Sequence, residues 1–471
     1  MSQGRHVPYS LVRFKNFSLQ ILRNRMAFVG LVILFLFVTL ALAAPVLTPY
    51  QPQGDIVSGK LAGPDWVPMI TGATSWSRNQ IFSGLQLQPS PGVQTTISTQ
   101  TVDSANFTVN TGPAGGKILL VESLAYAYNG PPEDFKGTLS VTPYLPSGQA
   151  AVATAYLQRL GNAAEQWTLW ESHQIAGSTP NSPAAPFSSA TQLLLSQIGQ
   201  SGYTPSTLIF SQKTGYNYVL EIDLPPNVSA ATIYVQRFSL LLYGTVWGLL
   251  GTDSVGNDIF TQFAYGSRVS LTVGLVATFI GVGVGLVVGL IAGYVGRIVD
   301  EVLMRFTDMM LVLPGLPLLI VLVAVLGPSL LNIILVLGFL GWMGFARVIR
   351  SQVLSLRERP FIEAAKASGA GTGYITVKHI FPNIVSLTYV NLALSVPAAV
   401  VGEAALSFLG LGPQSIITWG IMLEQAHEGS TVLAWWWVIP PGIGIAILSL
   451  SFILIGYALD EMFNPRLRKR R

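Results

Sequence analysis

A chain of 471 residues in which 50% are apolar and only 10% charged does not have a soluble protein's composition, where about 25% charged residues is usual. It contains no cysteine, which excludes a disulfide framework and a thiolate metal site, and its four histidines (His6, His173, His379, His427) form no ligand pair at helical spacing. A metalloenzyme is therefore set aside, and no nucleic-acid partner is expected.

The distribution of charge along the chain is more informative than its sum. Met1–Leu47 holds five Lys/Arg and no acid, Thr48–Thr245 seven against ten, and Val246–Arg471 fourteen against twelve. A middle segment without the basic surplus is expected to face away from the cytoplasm. Ala27–Leu47 is an apolar run behind Arg13, Lys15, Arg23 and Arg25, long enough to span a bilayer as a helix with its N-terminus inside. Ala41-Leu42-Ala43 has the form of a signal-peptidase site, but the leader is long and the run exceeds the about 7–15 residues of a signal core. An uncleaved first transmembrane helix is expected.

Thr48–Thr245 is rich in Ser, Thr, Gln, Gly and Pro, and carries short alternating runs such as "VQTTIST", "GTLSVTPYL", "YNYVLEIDL" and "ATIYVQRFSLLLYG". Period-two alternation with β-branched and aromatic residues between turn residues predicts strands. The segment is large enough to bury its own core, so an inserted extracytoplasmic β-rich, sandwich-like domain is expected over 48–245. Two sequons, at Asn106 and Asn227, agree with exposure but are common by chance. "TGPAGGK", ending at Lys117, lacks the first Gly and the Ser/Thr of a phosphate loop, so the chain is expected to bind no ATP itself.

Five more apolar stretches follow: Val269–Tyr294, Met310–Leu326, Leu330–Arg347, Leu387–Leu406 and Trp436–Leu459. Six spans from an inside N-terminus return the C-terminus to the cytoplasm. The ending "NPRLRKRR" agrees, as does the link bearing Arg347, Arg350, Arg357, Arg359, Lys366 and Lys378. In "DMMLVLPGLPLLI", Pro314, Gly315 and Pro317 should kink or unwind the third span, either as a structural bend or as part of a pathway. Asp308, at the cytoplasmic edge, reads as solvated. Glu403, near membrane depth, requires a structural partner or a solute contact. Ala434–Trp437, "AWWW", fits an interfacial aromatic belt. Gly281, Gly285 and Gly289 form a small-residue face for close packing, within the subunit or against a partner.

The remaining segment, "EAAKASGAGTGYITVKHIFPN" (Glu363–Asn383), is polar by comparison and falls in the cytoplasmic link between the fourth and fifth spans. Its first half is helix-prone, with Gly369 and Gly371 to end it; "YITVKHIFP" can form a second short helix until Pro382 stops it. Ala364, Ala365, Ala367 and Gly369 are small enough for another surface to approach closely. Glu363 lies near the helix start, where an anion is favoured and a partner arginine can pair with it.

The spacing of Glu363, Ala364, Ala365, Gly369 and Pro382 resembles the EAA signature of permease subunits of ABC importers, and the "HI-x-P-N" form with His379 and Asn383 resembles the oligopeptide/dipeptide branch. "LLGTDSVGNDIFTQFAYGSRVSL", "GEAALSFLGLGPQSIITWGIML" and "DEMFNPRLR" are similar to further signatures of that branch, so the resemblance is close over Gly248–Arg471 and loose over Met1–Leu47. It implies an all-α polytopic membrane protein of the type I importer fold, with a permease core over 246–471 and a coupling loop at about 350–383. The implied partners are a second, related permease (a heterodimer with a B-type subunit), two cytoplasmic ABC ATPases that carry ATP and Mg, an extracytoplasmic binding protein and membrane lipid. The implied location is the plasma or inner membrane, with both termini cytoplasmic. The inserted domain departs from the branch and leaves the solute open between peptides and oligosaccharides. A membrane-anchored receptor or adhesion module would need one span, and a secondary transporter should show intramembrane ionisable pairs or inverted repeats.

Overall fold

The computed structural model describes residues 23–146, 148–161, 165–177, 180–183, 186–198, 204–429 and 434–463. The leader cations Arg13 and Lys15 and the basic ending Asn464–Arg471 lie outside them. The chain divides into two compact units, Gly54–Asp258 and Met1–Gln53 with Ile259–Arg471.

Gly54–Asp258 is β-rich. Its strands are β1 (Gln80–Ile81), β2 (Ser83–Pro89), β3 (Val93–Gln100), β4 (Ala105–Thr111), β5 (Gly116–Ala125), β6 (Asp134–Tyr144), β7 (Ala151–Arg159), β8 (Gln166–Ile175), β9 (Phe187–Ser188), β10 (Gly215–Leu224) and β11 (Ala231–Tyr243). They form two antiparallel sheets, β3-β4-β11-β6-β9 with β1 on β11, and β2-β5-β10-β7-β8. Alternation explains the layering: Tyr216, Tyr218, Leu220, Ile222 and Leu224 of β10 are all buried, and they share one core with Phe107 of β4 and Phe135 of β6 from the other sheet. Two sheets enclosing one core make a sandwich.

The register puts one anomaly inside. Glu122 of β5 lies opposite Tyr218, in phase with Ile118 and Leu120, and is buried with no hydrogen-bond partner for Oε2 among the described residues. Burial, helped by the Asp103 charge, pushes its carboxyl up to about 8. Lys117, by contrast, points outward and bridges Glu221 at 2.5 Å and Asp223 at 3.3 Å.

The two ends of the unit run side by side. Val57 donates to Gly256, Leu61 to Asp253 and Gly63 to Thr245, and the Gly54 N–H reaches Asn257 Oδ1 at 3.2 Å. Because of this pairing the unit extends beyond Thr245 to Asp258. "GTDSVGND" is a structural turn here: Asp253 accepts from the N–H groups of Val255, Gly256 and Asn257 at 2.8–2.9 Å.

The other unit is helical: α1 (Arg25–Leu47), α2 (Ile259–Val295), α3 (Arg297–Val312), α4 (Gly315–Leu326), α5 (Leu330–Leu340), α6 (Met343–Arg357), α7 (Pro360–Ala367), α8 (Thr372–Ile375), α9 (Phe381–Leu406), α10 (Trp419–Glu428) and α11 (Trp435–Phe463). Five helical stretches are long and apolar enough to cross a membrane: α1, α2, Leu330–Arg357, Thr372–Leu411 and α11. Asn24 caps α1 through its side chain, which accepts from Met26 and Ala27.

The third expected span, Met310–Leu326, is not one helix. α3 and α4 meet at 90°, with Leu313 and Pro314 extended between them. Pro314 disfavours helical backbone at Leu313, and Pro317 in the first turn of α4 has no N–H to lose. At about 1.5 Å per residue, the 12 residues of α4 cover only about 18 Å of a bilayer core of about 30 Å.

The glycine face of α2 turns toward Leu330–Arg357 of the same chain. A Cβ on Gly285 would lie 2.6 Å from the Trp342 carbonyl oxygen, and one on Gly289 2.6 Å from that of Ala346, whereas Gly283 faces open space. Of the "AWWW" run, Trp437 is fully enclosed in the helical unit and so is no part of an interfacial belt, while Trp435 is exposed.

Candidate functional site

The EAA segment is built from α7, a four-residue turn and α8, and is anchored by isoleucines. Ile362, Ile375, Ile380 and Ile384 are buried against Phe345, Ile349 and Val353 of α6 and Val282 of α2. The opposite side is open: Glu363, Ala364, Ala367 and Gly369 are exposed, as are Phe361, Tyr374 (58%) and Val377 (62%). Ala365 is half-buried and packs on the isoleucine cluster.

The end of α7 explains why glycine stands at position 369. Gly369 donates to Lys366 at 2.9 Å and Ala370 to Ala365 at 3.1 Å, the paired bonds of a Schellman cap. The cap requires a left-handed residue, and Gly369 has φ +80°. No atom lies within 4 Å of the point a Cβ would occupy, so the constraint is conformational rather than steric.

Pro382 does not stop the second helix. Thr376–Ile380 widens into a π turn in which the Phe381 N–H reaches the Thr376 carbonyl, and Pro382 falls in the first turn of α9, so the segment continues into the fifth span. A proline there costs little because the register has already slipped. Asn383 completes the arrangement: its Nδ2 donates to the His379 carbonyl at 2.6 Å. The His379 ring is half-buried between Tyr374 (centroids 5.7 Å apart) and Phe361 (6.5 Å). Lys366 does not extend into solvent alone; its ammonium lies 6.0 Å from the Tyr294 ring centroid.

Next to this segment are ion pairs that composition did not reveal. Arg350 grips both oxygens of Asp300, at 2.5 and 2.6 Å, and Arg347 binds Asp308, so two arginines on α6 pair with two acids of α3. Asp308 is thus paired rather than merely solvated. The sequence signal for these pairs was the helical spacing of Arg347 and Arg350, which a reading for topology alone uses only as inside-facing charge.

The remaining expected positions lie elsewhere in the helical unit. Pro314 and Pro317 form the break before α4. Glu403 in α9 is fully buried, and Ser407 Oγ donates to its Oε1 at 2.7 Å, a structural partner one turn away. Among the described residues there is no group of three or more His, Asp or Glu able to hold a metal.

Two family models match the chain: the binding-protein-dependent transport system inner membrane component over residues 285–469, and the N-terminal TM domain of oligopeptide transport permease C over residues 13–64. The chain belongs to this family of inner-membrane permease components of ABC transporters, in its oligopeptide/dipeptide branch. It is 39% identical over 223 residues to the dipeptide transport system permease protein DppC of Bacillus subtilis (strain 168), covering 46% of this chain and 69% of that protein. To the oligopeptide transport system permease protein OppC of Escherichia coli (strain K12) it is 40% identical over 217 residues, 46% of this chain and 72% of that one. A solved methionine ABC transporter, MetNI in an inward-facing form, is similar at 20% identity and TM-score 0.35, covering 43% of this chain and 95% of that one, too low a likeness to carry an argument. Membership makes this chain a non-catalytic, multi-pass inner-membrane component, with ATP hydrolysis on partner subunits.

Proposed function

We propose that this chain is the C-type permease of an ATP-driven, binding-protein-dependent importer of peptides, and that Pro360–Asn383 couples it to the ATPases. The observation that carries this reading is the two-sidedness of that segment: isoleucines root it in the helical unit, while Phe361, Ala364, Ala367, Tyr374 and Val377 offer a small-featured apolar face to another protein. Rooted in α6 on one side and running into α9 on the other, a push on this face is delivered to two helices at once. A bistable bundle converts such a push into alternating access.

In this reading the bent α3–α4 pair counts as one span, giving six. Both termini are cytoplasmic, the sandwich is extracytoplasmic, and the complex contains a related B-type permease, two ATPases and a solute-binding protein. ATP and Mg belong to the ATPases. Peptides are preferred to oligosaccharides because the similar permeases named above are dipeptide and oligopeptide systems.

The test is reconstitution of the complete transporter with Glu363→Arg and, separately, Gly369→Trp. Uptake is expected to fall at least tenfold while the subunits still copurify and substrate no longer stimulates ATPase activity. Normal uptake and normal stimulation in both variants would overturn the reading.

A further inference from the structure

The sandwich treats its two Asn-X-Ser/Thr tripeptides differently. Asn106 stands in β4, paired with Thr99 of β3 on one side and Tyr234 of β11 on the other. It is half-buried, and its Oδ1 is enclosed. A sugar on its carboxamide would have to share the sheet surface with those two side chains, which lie directly opposite on the same face.

Asn227 stands in the 225–230 loop between β10 and β11, and is exposed. The backbone of this loop is pinned to the end of β4. The Asn227 N–H donates to the Gly112 carbonyl at 3.0 Å, Val228 exchanges two bonds of 2.9 Å with Thr111, and the Ala230 N–H reaches Asn110 Oδ1 at 2.6 Å. Val228 is 1% exposed and roots the loop, while Asn227 and Ser229 on either side of it are exposed. Neither of these two side chains makes a hydrogen bond among the described residues. The loop also lies far from where the chain enters and leaves the unit. β11 leads from it to Tyr243, beside the Gly59–Gly244 pairing, over 13 residues or about 40 Å.

A conformational reason for Asn227 exists: its φ is +58°, and Asn, Asp or Gly would serve a left-handed turn position. That reason leaves the exposed, unbonded hydroxyl of Ser229 unexplained. A transferase reads the pair together, with the carboxamide as acceptor and the hydroxyl two residues on as recognition group.

We propose that Asn227 is an N-glycosylation acceptor and that Asn106 is not. The co-reactant is an oligosaccharide on a polyprenyl phosphate or diphosphate carrier. Asn227 Nδ2 attacks its anomeric carbon, the C–O bond to the carrier phosphate breaks with its electron pair, and Nδ2 gives one proton to the base of the transferase. The glycan then projects from the end of the sandwich opposite the chain exits, on a loop that needs no rearrangement to carry it. This inference rests on the extracytoplasmic placement of the sandwich.

The experiment purifies the complete transporter from membranes of its native host and weighs its tryptic peptides by mass spectrometry. Cleavage after Lys213 and Arg237 separates Asn227 from Asn106, which falls in the 79–117 peptide. The 214–237 peptide should be heavier by whole sugar residues, and the 79–117 peptide should have its unmodified mass. Ser229→Ala should abolish the increment while leaving Asn227 and its turn in place, and Ser229→Thr should retain it. An unmodified 214–237 peptide, an increment that survives Ser229→Ala, or sugar on Asn106 would each overturn the assignment. A separate sample of intact cells is treated with a membrane-impermeant amine reagent, which should label the exposed Lys136 and Lys213. Label on these lysines with an unmodified Asn227 overturns the acceptor alone; absence of label overturns the extracytoplasmic placement, and the acceptor with it.

Discussion

Leu220 and Phe279 are both large and apolar, yet Leu220 is fully enclosed in the sandwich and Phe279 is 70% exposed on α2. The sandwich separates inside from outside by polarity, because water surrounds it and burial of apolar area is the driving force. The helical unit is apolar on both its inner and its outer faces, so polarity no longer decides which face packs. Side-chain size does, through glycines that bring backbones together. One chain thus obeys two rules of packing, and each can be broken separately.

The largest effect should come from the size rule. Gly289→Leu drives a side chain into the Ala346 carbonyl and Ile349, and is expected to abolish monodisperse behaviour in detergent, while Gly283→Leu, facing open space on the same helix, should purify as wild type. Equal tolerance of both would mean that the α2 glycines do not set the packing. In the sandwich, Leu220→Ala should cost about 3 kcal/mol in chemical denaturation of that unit and leave the helical signal unchanged.

A smaller, pH-dependent effect belongs to Glu122. Its carboxyl titrates near 8 in the fold and near 4.5 when unfolded, so the folded unit holds a proton that the unfolded chain releases between those values. Stability is therefore fully present below about pH 4.5 and is lost as pH rises toward 8, with a slope of at most about 1.4 kcal/mol per pH unit. Melting of Glu122→Gln should lack this slope; a wild type equally stable at pH 5 and pH 8 would count against it. The smallest effect is local: Gly369→Ala should cost about 1 kcal/mol through the left-handed φ, read as faster amide exchange over α7.

Much of this was legible because it depends on periodicity. The strands of the sandwich and the apolar runs carry their own signatures, and the EAA segment stood out as a polar interval between two spans. What escaped depends on register and on pairing at long range. Pro314 announced a bend, but not its 90° angle, which both flanking helices determine. Pro382 read as a stop because nothing local signals that a π turn will absorb it. Glu122 was overlooked although it keeps step with Ile118 and Leu120, since alternation leaves open whether a polar residue ends a buried face or continues it. The Arg350–Asp300 pair spans fifty positions, beyond any spacing rule for a single helix.

The paired ends of the Gly54–Asp258 unit have a consequence for how such a chain can be assembled. Because Gly54 meets Asn257 and Val57 meets Gly256, the whole unit closes on itself where the chain enters and leaves. To the rest of the polypeptide it behaves as one short connection, since its internal order has already fixed the distance between the two exits. A module wired this way can be cut out, exchanged or lengthened at its far edges as cargo on a fixed doorway. Deleting 56–256 and joining the exits with a few glycines is the corresponding genetic operation.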